Sequence, residues 1–130
     1  MADRKAEGRA TRARILGEAH VARAEANTTG FDAPFQAFIT EGVWGSVWSR
    51  PGLTPRERSL LTIALLAGLG ATEELAMHVR ATANTGATED DLAEVMLHVA
   101  AYAGVPRANS AIQTIKATYA ELRSAEAAKE

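Results

Sequence analysis

The sequence predicts an all-α protein, and three observations support that prediction. Alanine is abundant, whereas aromatic residues make up only 5% of the 130 residues. Glycine and proline stand mostly at the ends of segments with helical apolar spacing. No stretch shows the apolar–polar alternation of a strand. We expect about six helices with short connections, forming one domain over 1–130.

The first half of the chain is predicted to contain two helical regions. Residues near 3 to 26 form one or two helices interrupted near Gly17, with a turn at 27–30 and fraying over 1–11. Their apolar stripe is weak, so they need another surface to pack on. Gly45 is expected to loosen the second region, 34–48. Spacings of three and four place its large apolar residues on one side: Phe35, Phe38, Ile39, Val43, Trp44, Val47 and Trp48.

The second half is predicted to contain the core helices. Thr54 fits an N-cap, Pro55 fits the first helical position, and Glu57 completes a capping box. The helix that they begin runs to Leu69 and is apolar nearly all round, which is typical of the centre of a domain.

Three further helices follow, with boundaries set by capping residues and glycines. The first runs from Thr72 to Gly86, the second from the Thr88 capping box to Gly104, and the last from Pro106 to a polar, frayed end at 124–130. So much apolar surface in a short chain predicts an oligomer. The residues predicted to face inward are Leu75, Val79, Thr82, Ala83, Leu92, Val95, Met96, Val99, Tyr102, Ile112, Ile115, Tyr119 and Leu122.

Charge and hydropathy exclude several classes of partner. The net charge is −2, which leaves no basic surplus for nucleic acid. The longest apolar run, 60–69, is too short to cross a bilayer, and the N-terminus lacks the pattern of a signal or transit peptide. We therefore expect a cytoplasmic protein that binds neither nucleic acid nor membrane. A basic N-terminal cluster is interrupted by acids and is predicted to be a solvated helix face: Arg4, Lys5, Arg9, Arg12 and Arg14.

Cysteine is absent, so disulfides, thiolate metal sites and thiol catalysis are excluded. Two helical pairs at i, i+4, Glu74 with His78 and Glu94 with His98, could in principle hold a metal. The further glutamates of a di-metal helical bundle are not found, so we predict neither a metal nor a cofactor.

The same spacing has two other interpretations. A carboxylate beside an imidazole favours the protonated form, and a histidine protonated near neutral pH is a general acid. An exposed pair would only stabilise its helix, by about 0.3–0.5 kcal/mol. His78 lies between Leu75 and Val79 at the edge of an apolar stripe, which makes it the better candidate for a tuned group.

Several arginines are candidates for binding carboxylates, because the planar guanidinium binds them through two parallel hydrogen bonds. Arg80 lies two positions from His78, about 200° round the helix, so the two cannot point into one pocket of one subunit. Phosphate-binding loops, dinucleotide fingerprints and nucleophile elbows are absent from the sequence. The candidates are Arg14, Arg50, Arg56, Arg58 and Arg80.

Several motifs occur in an order that resembles the carboxymuconolactone decarboxylase family. They are RILGEAHV at 14–21, WG at 44–45, RPGL at 50–53, RSLLTIALL at 58–66, ELAMHVR at 74–80 and YAGVPRAN at 102–109. The resemblance implies an AhpD-like all-α fold and a homo-oligomer, a hexamer or trimer. Peroxidases of the wider superfamily use a Cys-x-x-Cys pair where this chain has Ala71 and Glu74, so disulfide-cycling peroxidase chemistry is excluded.

The resemblance also implies a reaction, the cofactor-free decarboxylation of 4-carboxymuconolactone to 3-oxoadipate enol-lactone in protocatechuate catabolism. His78 is then expected to donate the proton, with Glu74 orienting or tuning it. Substrate carboxylates are expected to bind Arg14, Arg50 and Arg80, and pocket walls to come from His20 and Trp44. Two alternatives stay open: a related decarboxylase or isomerase acting on another small carboxylated lactone or keto acid, and a non-catalytic helical ligand-binding or assembly module.

Overall fold

The computed structural model describes residues 3–129, and every regular element in that range is helical. The all-α prediction is confirmed. The chain forms two compact units, an N-terminal unit ending at Pro55 and a C-terminal unit beginning at Arg56; a single domain over 1–130 stays a prediction. The elements are α1 (Arg4–Leu16), α2 (Glu18–Asn27), α3 (Ala33–Phe38), a π-helix (Ile39–Trp48), α4 (Pro55–Leu69), α5 (Thr72–Thr85), α6 (Glu89–Tyr102) and α7 (Val105–Ala128).

Local sequence explains most helix boundaries. Gly17 separates α1 from α2 at a φ of 99°, and Gly86 ends α5 in the left-handed region at 87°, conformations that favour glycine. The capping box predicted at Thr88 is present. Thr88 Oγ1 accepts a hydrogen bond from the Asp91 amide, and Asp91 Oδ2 accepts one from the Thr88 amide.

Both ends of the chain are more helical than the fraying predicted from the sequence. Asp3 caps α1, because its Oδ1 accepts hydrogen bonds from the amides of Lys5 and Ala6 at 3.1 and 3.2 Å. At the other end, α7 continues to Ala128. Residues 1, 2 and 130, which were part of the same prediction, lie outside the described residues.

The N-terminal unit is built on a close approach of two backbones. A Cβ atom at Gly8 of α1 would collide with the carbonyl oxygen of Thr40, and one at Gly45 would lie 2.6 Å from that of Arg4. Gly45 was predicted to loosen its helix, but it provides the space in which α1 packs.

The segment predicted as one helix over 34–48 changes from α to π geometry at Ile39. Two serine hydroxyls donate to carbonyl oxygens five residues earlier, Ser46 to Glu41 and Ser49 to Trp44, which satisfies groups in the wider turns.

The C-terminal unit has a continuous side-chain core drawn from α4 to α7. From α4, Ile63 and Ala67 are buried in it and Leu60, Ala64 and Leu66 pack against it, whereas Leu61, Leu65 and Leu69 are exposed. The expectation that α4 lies at the centre of the domain is therefore wrong for the side that carries these three leucines. Tyr102 and Ala83 were predicted to face inward but are exposed; Tyr102 ends α6 and lies against the ring of His98. The buried core is Ile63, Ala67, Leu75, Val79, Ala87, Leu92, Met96, Val99, Ala108, Ala111 and Ile115.

Candidate active site

His78 occupies the inner side of α5. Its neighbours Leu75 and Val79 belong to the core, and the histidine itself is 7% exposed. Glu74 lies one helical turn earlier, in the acidic first turn of α5, and is exposed. The pair predicted from spacing therefore combines a buried imidazole with a carboxylate that is exposed to solvent. Low solvation strengthens any charge interaction that this imidazole makes.

Arg80 lies on a different face of α5. Its Nη2 is 3.5 Å from Glu121 Oε2 of α7, and both side chains are half or more exposed. The structure thus agrees with the 200° separation predicted between His78 and Arg80.

Near the end of the π-helix, hydrogen bonds connect the side chain of Arg14 to the backbone of Trp44 through two hydroxyl groups. Arg14 Nη2 is 3.5 Å from Thr11 Oγ1, whose oxygen is 2.7 Å from Ser49 Oγ. Ser49 in turn donates to the carbonyl oxygen of Trp44 at 2.7 Å and precedes Arg50 in the chain. Arg14 is therefore connected to the Trp44 carbonyl through Thr11 and Ser49, and Arg50 is the residue that follows Ser49.

The predicted pocket residues of the N-terminal unit differ in their exposure to solvent. Arg50 borders a cavity of about 460 Å³ that Arg4, Glu7 and Ser49 also line. Trp44, predicted to be a pocket wall, is buried against Trp48 with 5.0 Å between ring centroids. His20 is half-buried on α2.

Arg12 is a charged residue whose burial contradicts the prediction made from the sequence. It was predicted to lie on a solvated face, but it is 8% exposed. Burial removes water from the guanidinium and lowers its pKa. The helical spacing of Gly8, Arg12 and Ile15, all buried on one face of α1, could have revealed this position.

Arg9, from the same basic cluster, lies at the surface as predicted for that cluster. Its guanidinium bridges Glu18 and Glu25 at 2.9 and 2.8 Å, which raises the pKa of the arginine and lowers that of Glu25.

Within residues 3–129, no three histidine or carboxylate side chains come together in a way that could bind a metal ion. The ring of His98 stacks on Tyr102 with centroids 5.6 Å apart, at the exposed end of α6. The two helical Glu–His pairs are thus not assembled into one cluster. In the same range, no helix has the length and apolar character needed to cross a membrane.

The fold is that of a small all-α protein with a buried histidine on α5, and comparison with known proteins specifies its class. Residues 33–117 match the model of the carboxymuconolactone decarboxylase family. The chain is also 46% identical over 116 residues to the 4-carboxymuconolactone decarboxylase of Acinetobacter baylyi, covering 89% of this chain and 87% of that protein. The chain therefore belongs to the carboxymuconolactone decarboxylase family, and the family and enzyme class predicted from the sequence are confirmed.

Two further relatives extend the comparison. A nitrosuccinic acid decarboxylase of Metarhizium robertsii is 46% identical over 100 residues, covering 77% of this chain and 70% of its own length. An uncharacterized 15.0 kDa protein of Paracoccus denitrificans is 34% identical over 87 residues, 65% of each chain. The family match includes Trp44, Arg50, Glu74, His78 and Arg80, whereas α1 and α2 lie outside it.

Proposed function

We propose that this protein decarboxylates 4-carboxymuconolactone to 3-oxoadipate enol-lactone, a step of protocatechuate catabolism. The observation that supports this most strongly is the 46% identity, over 89% of the chain, to an enzyme of that name. The fold contributes a buried histidine at the position that the resemblance predicted.

The chemistry of the substrate explains what the protein must supply. Its leaving carboxylate is attached to the ring carbon next to the lactone oxygen. Loss of carbon dioxide leaves an electron pair that delocalises through the ring double bond onto the lactone carbonyl. Because the substrate is its own electron sink, the reaction needs no organic cofactor. The protein has to bind a dianion, stabilise the developing negative oxygen and return one proton to carbon.

We assign His78 as the proton donor and Glu74 as the residue that orients or tunes it. The partial burial of His78 between two core residues supports this assignment, because a desolvated imidazole is held in place and shielded from bulk water. Carboxylate binding is assigned to Arg14, Arg50 and Arg80, and the pocket walls to His20 and Trp44. Because Arg80 lies on a different face of α5 from His78, this assignment has some of these residues reach the site from a neighbouring subunit.

The decisive experiment is ultraviolet turnover of freshly made 4-carboxymuconolactone by purified, chelator-treated protein, with carbon dioxide release measured in parallel. His78→Ala should lower kcat at least about 100-fold while the helical circular dichroism is retained. His98→Ala is the matched control, since His98 is exposed on α6, and it should keep normal turnover. Near-normal turnover by His78→Ala would eliminate the proton-donor assignment. Absence of turnover by the folded wild-type protein would favour another small carboxylated lactone or keto acid as the substrate, or a binding or assembly role.

A second candidate substrate is nitrosuccinate, because a relative with the same 46% identity is named for that substrate. Loss of the carboxylate next to the nitro group leaves an electron pair that the nitro group accepts. Both substrates are therefore dicarboxylates with their own electron sink. Measuring kcat/KM for the two in parallel decides between them, and we expect 4-carboxymuconolactone to be preferred.

We also propose that the protein is a homo-oligomer, a hexamer or trimer, located in the cytoplasm. In support, α4 has an exposed apolar stripe with helical spacing, Leu61, Leu65 and Leu69. Light scattering after gel filtration should give a multiple of 13.8 kDa for the wild type, and smaller species for Leu65→Glu. Gln113→Glu adds the same charge at an exposed position of α7 and should leave the mass unchanged. Cell fractionation tests the location.

A further inference from the structure

We propose that the N-terminal unit binds a small organic carboxylate in a cavity where the ligand's carboxylate group meets Arg12. The cavity has a volume of about 460 Å³ and lies among α1, α2, α3 and the first turn of the π-helix. Pockets of this size hold small molecules in many proteins. Its lining includes Arg12, Gln36, Ala6, Val21, Ala33 and Ala37.

The buried guanidinium is the first reason. Arg12 is 8% exposed, and its Nη1 donates to Gln36 Oε1 at 3.1 Å. Its Nε is buried and makes no hydrogen bond to any residue of 3–129. A guanidinium has five N–H donors, and a neutral amide oxygen does not compensate its charge. Burying a cation is unfavourable unless an anion accompanies it.

The nearby carboxylates are already engaged, which is the second reason. Both oxygens of Glu25 accept hydrogen bonds from Arg9, at 2.8 and 2.9 Å. Asp3 Oδ1 caps α1 through the amides of Lys5 and Ala6. The lining contains three cations, Lys5, Arg9 and Arg12, against these two carboxylates. Glu18, outside the lining, also pairs with Arg9, and Glu25 acts on Arg12 through its charge, but the buried Nε of Arg12 still lacks a hydrogen-bond acceptor within 3–129. A ligand anion would supply that acceptor together with its charge.

The walls indicate what carries that charge. Ala6, Val21, Ala33 and Ala37 present small apolar groups to the cavity, which suit a carbon skeleton better than an inorganic anion. A carboxylate fits the guanidinium through two parallel hydrogen bonds. The ligand class is therefore a compact organic carboxylate. It is either the dicarboxylate on which the enzyme acts or a different cellular carboxylate.

The experiment is titration calorimetry of the full-length protein with succinate, adipate and benzoate. At least one should bind the wild type, and Arg12→Gln should weaken that binding about tenfold or more, as expected for loss of a charge-assisted hydrogen bond. Arg23→Gln is the matched control, because Arg23 is exposed on α2 and outside the cavity lining, and it should bind normally. Ala37→Phe fills the cavity without changing Arg12 and should also abolish binding.

Turnover measurements identify the source of the carboxylate. A raised KM with little change in kcat in Arg12→Gln means that the ligand is the enzyme's own substrate. Lost succinate, adipate or benzoate binding with unchanged KM means a separate ligand. The proposal is overturned if none of the three probes binds the wild type at 10 mM, or if both Arg12→Gln and Ala37→Phe bind as well as the wild type. Calorimetry gives this answer even if the proposed reaction fails.

Discussion

The two units of this protein are stabilised by different kinds of contact. In the N-terminal unit, α1 packs against the π-helix through backbone atoms at Gly8 and Gly45, and polar side chains reinforce the contact, such as Arg4 Nη1 to Ser46 Oγ at 2.9 Å. In the C-terminal unit, side chains of four helices form one apolar core. The first arrangement requires that Gly8 and Gly45 have no Cβ atom, whereas the second requires large side chains that fill the core. Substitutions in the two units should therefore act through opposite changes in volume.

Gly8→Ala should be among the most damaging substitutions in this protein. Alanine is the better helix former by about 1 kcal/mol, yet its Cβ would collide with the Thr40 carbonyl oxygen, so we expect a net loss of about 3 kcal/mol. Urea unfolding measures it. Gly30→Ala, where a Cβ has no atom within 4 Å, should be near neutral. A more stable Gly8→Ala protein would contradict the backbone packing.

Leu75→Ala tests the side-chain core in the same assay. Leu75 is 1% exposed, and removing its branched end leaves a cavity, so the free energy of unfolding should fall by about 2–5 kcal/mol. Leu122→Ala, at a half-buried position of α7, should lose less. Equal losses would show that the core does not extend as described.

Thr88→Ala removes the cap of α6 and should lower the free energy of unfolding by about 1 kcal/mol. Thr88→Ser keeps the hydroxyl oxygen that accepts from the Asp91 amide and should recover most of the loss. Failure of serine to restore stability would mean that the hydrogen bond is not the cause.

Acid should weaken the contact between the start of α4 and that of α6. Arg56 donates two hydrogen bonds to Asp91, at 2.6 and 3.1 Å, and holds the pKa of Asp91 below its ordinary value of 3.8. A depressed carboxyl pKa stabilises the fold above the unfolded pKa, and this stabilisation is lost as pH falls through the folded pKa. Stability measured from pH 6 to 2 should therefore decline below about pH 4, and less steeply in Asp91→Asn.

Arg80→Gln should have the smallest effect on stability, because its ion pair with Glu121 is exposed and worth at most about 1 kcal/mol. The proposed carboxylate-binding role predicts a raised KM in the same variant. Glu121→Gln breaks the pair from the other side and should leave KM unchanged. An unchanged KM in both variants would mean that Arg80 forms a surface ion pair and does not bind the substrate.

The difference between the units also explains which predictions succeeded. Helix spacing, the glycines at 17 and 86 and the capping box at Thr88 are local features, and the structure has each where the sequence predicted it. The contact between Gly8 and Gly45 involves residues far apart in the chain, so no local pattern shows it. The change from α to π geometry at Ile39 is local, but apolar residues spaced three and four apart are compatible with an ordinary α-helix. Arg12 was predicted to be solvated like its charged neighbours, because charge alone does not specify which face of a helix packs against other elements.

By itself, the sequence determined the all-α class, most helix boundaries, the absence of thiol chemistry and the family, since these follow from residue type and short spacing. The tertiary structure alone decided which faces are covered. It buried Arg12 and left Leu69 and Tyr102 exposed. The reason is physical: burial depends on which surfaces meet, and that is a property of the packed helices together rather than of any one segment.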